Sequence, residues 1–162
     1  MTRLKSLLKR EILARDVGRV IGKPEDVLVD PESHKVSLIV LNYGELPETS
    51  VVLPADAVGI FDTDAMTIES LDQLHLAQHE KVLLSKMEAG LKLRSRSTFT
   101  NDGVRLGTLD GIDIDRTGNV EAYHIRKPRF GLLRPRTIVS PSEVGGLGED
   151  VAVVKNEPQR AG

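Results

Sequence analysis

Four stretches of the chain hold residue types and spacings that chemistry can use. Asp113-Ile114-Asp115-Arg116-Thr117-Gly118 opens like a calcium loop. The twelfth position of such a loop needs a bidentate Glu, and His124 stands there instead. Ile112 and Ile114 alternate with the two acids, so the expectation is a strand with solvent-facing Asp residues followed by a turn. His75 and His79 would share one face of a helix, enough for two metal ligands, but no third ligand follows by spacing and no metallopeptidase order frames them. They read as exposed connector residues, with no metal expected. Gly145-Gly146-Leu147-Gly148 precedes an aliphatic run rather than a helix, so it reads as a turn between strands and not as a phosphate cradle. No Gly-x-Ser-x-Gly marks a nucleophile, and no spacing pairs two carboxylates. The expectation is a non-enzymatic protein with no catalytic residue and no cofactor.

The fourth stretch breaks the charge pattern. Residues Arg126 to Arg136 (RKPRFGLLRPR) hold five basic residues and no acid, in a chain whose formal net charge is −2. Four of the five are Arg, whose planar fork suits carboxylates and phosphates. Arg126, Lys127, Arg129, Arg134 and Arg136 would grip an acidic or phosphate-bearing surface, while Phe130, Leu132 and Leu133 form an apolar tip. Pro128 and Pro135 would stiffen the loop. The competing reading is a solvated loop whose Phe130 and Leu133 fold back onto the protein. At the start of the chain, Arg3, Lys5, Lys9 and Arg10 around Leu4, Leu7 and Leu8 suit either a short basic amphipathic helix or a lead into the first strand.

The elements that must position these residues come from a repeat. Gly18–Asp30 (GRVIGKPEDVLVD) and Gly103–Asp115 (GVRLGTLDGIDID) share a Gly-x-x-x-Gly, an apolar residue before the second Gly, and a closing apolar-x-apolar-Asp. The match continues with Val36 against Val120 and Leu41 against Ile125, then Val52 against Ile138, Val58 against Val144 and Gly59 against Gly145. Both stretches end alike, in Ala65–Ile68 and Val151–Val154. Three collinear matches point to duplication. At Asn42–Thr49, the counterpart of the basic stretch carries Glu45 and Glu48, so the fold itself does not demand cations there.

Short apolar runs punctuated by Gly, Pro, Asn and Asp read as antiparallel strands of a small barrel or sandwich. Aromatics make up only 3% of 162 residues, so the core must be aliphatic. So few aromatics also disfavour sequence-specific RNA binding. The chain has no Cys, which excludes disulfides, zinc–thiolate sites and thiol nucleophiles. No apolar run reaches the roughly 20 residues that span a bilayer. The N-terminus lacks a sustained apolar core and a small-residue cleavage site. The expectation is a soluble, unexported, cytoplasmic protein, with a peripheral position at a membrane as the second option.

These residues make the repeat similar to the PRC-barrel family, which includes the cytoplasmic domain of the photosynthetic reaction-centre H subunit. Copy one supplies the family pattern with Asp16–Gly22, Val27–Asp30, Val36–Leu41 and Val52–Ala55; copy two with Asn101–Gly103, Leu106-Gly107, Ile112–Asp115, Val120–Ile125 and Val139–Pro141. Copy one departs at Pro31–Lys35, which has no Gly, and copy two has a loop two residues longer before Thr137. The resemblance implies a mainly β protein of two tandem small barrels related by an approximate two-fold. Their expected bounds are residues 1–70 and 90–156, with a short helical or extended connector at 71–89 and a frayed tail at 157–162. It also implies a docking or assembly module whose partner is a protein, the alternatives being RNA or an anionic membrane surface.

Overall fold

The aliphatic runs form strands because β-branched side chains pack well on a pleated, half-buried surface. The computed structural model describes residues 2–42, 49–80, 86–128 and 135–155. The chain is mainly β. Its strands are β1 (Thr2–Arg3), β2 (Ile12–Ala14), β3 (Arg19–Gly22), β4 (Asp26–Asp30), β5 (Lys35–Asn42), β6 (Val51–Pro54), β7 (Met66–Ile68), β8 (His75–Leu76), β9 (Glu88–Ala89), β10 (Ser97–Thr100), β11 (Arg105–Ile114), β12 (Val120–Arg126), β13 (Arg136–Val139), β14 (Val144–Leu147) and β15 (Val151–Val154). Among the described residues, three one-turn helices interrupt them: α1 (Leu4–Leu7), α2 (Ala55–Val58) and α3 (Gly90–Leu93).

Among the described residues three sheets result, in the orders β13-β12-β11-β10-β15-β14 with β1 added on β11, β3-β2-β7, and β8-β6-β5-β4-β9. None of these orders closes on itself among the described residues, where two closed barrels were expected. Two strands of two residues each cross between the halves. β1 does not join its sequence neighbours but pairs with β11, Thr2 opposite Ile114 and Arg3 opposite Asp113. β9 pairs with β4, Glu88 opposite Val29 and Ala89 opposite Leu28. Each half of the chain therefore sends its leading strand into the sheet of the other.

Other pairings recur in the same way. β2 runs parallel to β7 from Ile12 opposite Met66, and β10 runs parallel to β15 from Ser97 opposite Val151. Arg10 donates to the Thr2 hydroxyl and the Phe61 carbonyl, each at 2.7 Å. Arg96 pairs with Glu88 at 3.7 Å and donates to the Gly148 carbonyl at 3.0 Å. Between the halves, the Val36 amide donates to the Gly118 carbonyl and the Val120 amide to the His34 carbonyl, both at 2.8 Å. His34 and Gly118 both take positive φ, 54° and 94°.

One aliphatic core runs through both halves, from Leu4, Leu7, Ile12 and Val29 to Ile112, Ile114, Tyr123 and Val154. Burial of Leu4 and Leu7 decides between the two expectations for the N-terminus: they lie three apart on α1, so one helical turn puts both into the core. Full burial of each contributes about 1.5–3 kcal/mol. Leu4 is seated against Gly90, where an added Cβ would lie 2.9 Å from the Leu4 Cδ2. The fully buried Tyr123 sends its hydroxyl to the His34 Nδ1 at 2.7 Å, across the two halves.

The connector is structured where it is described. Leu71–Gln73 and Ala77–Glu80 are 3-10 turns, and β8 between them pairs with β6. Residues 81–85 of the connector lie outside the described residues, as does the tail at 157–162. Gly145 and Gly146 are not a turn but part of β14, which pairs with β15.

Candidate functional site

The basic stretch begins on β12 and returns on β13. Arg126 stands opposite Arg136, and the Lys127 amide donates to the Pro135 carbonyl at 2.8 Å, closing the ladder at the base of the hairpin. Arg126, Lys127, Pro128, Pro135 and Arg136 are exposed. Arg129, Phe130, Leu132, Leu133 and Arg134 lie outside the described residues.

What holds this base in place is Gly107 on β11. Its φ is +151°, and an added Cβ would collide with the Arg126 carbonyl and sit 3.1 Å from the Lys127 Cα. The backbone of β11 thus passes under the hairpin at a distance only Gly allows. On the same strand Thr108 is the register partner of Arg126, and the Arg105 Nη2 reaches the Thr108 hydroxyl at 3.4 Å. Arg105, also exposed, thereby joins the cations of the hairpin base. Sequence reasoning missed it because it stands alone in the chain, and what links it to the hairpin base is its contact with Thr108, the register partner of Arg126.

The cations are not equivalent. Arg136 Nη2 lies 3.2 Å from the Asp110 Oδ2, and the Arg94 Nε donates to the Asp110 carbonyl at 3.1 Å. Asp110 sits at an irregularity of the β11–β12 ladder, between Leu109 and Gly111. Among the described residues Arg105, Arg126 and Lys127 form no ion pair.

Further along the same two strands, Asp113 is buried rather than solvent-facing. Its Oδ2 lies 2.8 Å from the Nε2 of buried His124, and its Oδ1 is 3.9 Å from the Arg3 Nε. Ile112 and Ile114 are buried as well, so exposure does not alternate along this end of β11. What covers the outward acid is β1, which the alternation does not reveal. Gly111 leaves room for the His124 ring, with an added Cβ 3.2 Å from the His124 Cβ.

Asp115 closes the turn after β11. Its carboxylate accepts from the amides of Thr117 and Asn119, each at 2.9 Å, and from both their side chains. Burial pushes its pKa up, but the hydrogen bonds from Asn119 and Thr117 outweigh it and hold the group below the usual carboxylate value. Asp30 is lowered in the corresponding turn, first by the Glu32 amide. These carboxylates organise turns. Exposed His75 lies in β8 and exposed His79 in a 3-10 turn, so they do not share a helix face. Among the described residues no group of three metal-ligating side chains converges.

A surface depression of about 220 Å³ is lined by Lys35, Ser37, Asp56 and Glu80 with aliphatic neighbours, and it includes none of the hairpin residues. Among the described residues no helix is long and apolar enough to cross a membrane. No family model matches this chain, and no curated protein matches it.

Proposed function

We propose that this protein is a non-enzymatic adaptor or assembly module that docks on a protein partner through the cationic end of its largest sheet. The observation that carries the reading is the hairpin base: Arg126 and Lys127 stand exposed and without ion pairs among the described residues, on a ladder held by Gly107. Rigid display lowers the ordering cost of binding. The candidate partner-binding residues are Arg126, Lys127, Arg129, Phe130, Leu132, Leu133, Arg134 and Arg136, to which Arg105 is added.

The scaffold is proposed to be a duplicated PRC-like unit with an approximate two-fold between its copies. Reciprocal pairing of β1 with β11 and of β9 with β4 supports this, as do the matched Arg10–Thr2 and Arg96–Glu88 contacts. The φ values of Gly22 and Gly107, 149° and 151°, support it too.

Affinity capture with the full chain from its native host tests the role. Wild type should retain a protein partner at low salt, insensitive to ribonuclease, and Arg126→Glu with Lys127→Glu should lose it. Retention that depends on RNA would replace this reading with the RNA-binding one, and equal capture by the variant would refute the hairpin.

A further inference from the structure

Resting on that docking role, we infer that the site recognises carboxylates of an acidic polypeptide segment, and that Arg105 and Arg126 carry the recognition while Arg136 does not. The division follows from what each cation already holds. Arg136 is engaged by Asp110 at 3.2 Å, so binding it to a new anion means breaking an existing pair. Arg105 and Arg126 have no such competitor among the described residues and flank one side chain, Thr108, from two strands. Two guanidinium forks on adjacent strands offer two bidentate acceptor sites for carboxylates spaced along an extended segment.

Three observations favour a polypeptide over nucleic acid or lipid. Base stacking needs exposed aromatic faces, yet among the described residues Phe61 and Tyr123 are buried and Phe99 is partly covered. A net charge of −2 gives no long-range attraction to a polyanion, so recognition must come from short-range contacts, which a few carboxylates can satisfy. Beside the cations, Ile138 is 47% exposed and lies two residues from Arg136 on β13, hence on the same face of the sheet. One aliphatic contact next to two forks suits a segment that mixes Glu or Asp with Leu or Val.

The test uses the full chain with three probes of matched charge: a fluorescent peptide of alternating Glu and Leu, a single-stranded RNA oligonucleotide, and phosphatidylcholine vesicles containing phosphatidylserine. Arg105→Gln with Arg126→Gln should weaken peptide binding roughly tenfold, the combined effect of two exposed charge pairs. Arg136→Gln should change it less than twofold, and thermal melts establish that each variant is folded. An unchanged peptide affinity in the double variant, an Arg136→Gln loss as large as the double variant's, or tighter binding of RNA or vesicles than of peptide would overturn the inference. A native partner still held by the double variant, though lost by Arg126→Glu with Lys127→Glu, would overturn it while leaving the docking role intact.

Discussion

Alanine at Gly22 and alanine at Gly107 should differ in cost although the two backbones are nearly superposable in φ, at 149° and 151°. Both substitutions force an L side chain into a region it rarely adopts, at about 1–3 kcal/mol. Loss of glycine freedom in the unfolded chain offsets about 0.4–1 kcal/mol of that. At Gly22 nothing lies within 4 Å of the new Cβ, so the backbone term is the whole effect. At Gly107 the Cβ meets the Arg126 carbonyl and the Lys127 Cα, which are backbone atoms and cannot rotate away. Overpacking of this kind adds about 1–3 kcal/mol. Urea denaturation followed by circular dichroism should therefore show Gly107→Ala the less stable by about 1–3 kcal/mol. In a chain of this size that separates the melting temperatures by roughly 2–4 °C per kcal/mol. Equal losses would refute the argument that β11 passes under the hairpin base at glycine-only distance.

The remaining predictions concern the junction between the halves. Gly90→Ala should cost about 1–3 kcal/mol through its clash with Leu4 and Val27; combined with Leu4→Ala the loss should be less than additive, which a double-mutant cycle reads directly. Tyr123→Phe should destabilise by about 0.5–1.5 kcal/mol, measured by urea titration, since it removes the hydrogen bond to His34. Burial pushes His34 below its ordinary value of 6.5 despite the opposing charge of Asp30. The unfolded chain then binds that proton more readily, so stability present above about pH 6.5 falls as the pH drops below it. His34→Asn, which tolerates the positive φ, should flatten this part of the stability–pH curve. Tyr123 is raised by burial, so its contribution is present below pH 10 and is lost as the pH climbs above that value.

The mainly β character and many of the turns were legible because they rest on local rules. Gly18, Gly22, Gly103 and Gly107, which frame the repeat in the sequence, all have positive φ. Asp30 and Asp115 followed by turn residues read as strand ends, and their carboxylates do cap the turns. The exchange of β1 and β9 was not legible, since two-residue strands carry no periodicity and their partners are remote in sequence. That omission explains the misplacement of Asp113, whose cover comes from the exchanged β1. Gly145 and Gly146 misled for the opposite reason: flexibility suggested a turn, but both lie in β14, Gly146 opposite Val153 and Gly145 at an irregularity of the ladder, and the turn to β15 begins only at Gly148. At the candidate site the charge of the hairpin was plain from composition. Neither the pairing of Arg136 with Asp110 nor the approach of Arg105 was, because both depend on strand register.

The central claim, docking through the hairpin end, is tested most directly by a photo-crosslinking amino acid placed at Lys127 in the full chain within its native host, with Val17, exposed on another sheet's turn, as the control position. The account predicts a discrete protein adduct from position 127 that disappears when Arg105 and Arg126 are changed to Glu, and none from position 17. Adducts at position 17 alone, or a nucleic-acid adduct at position 127, would contradict it.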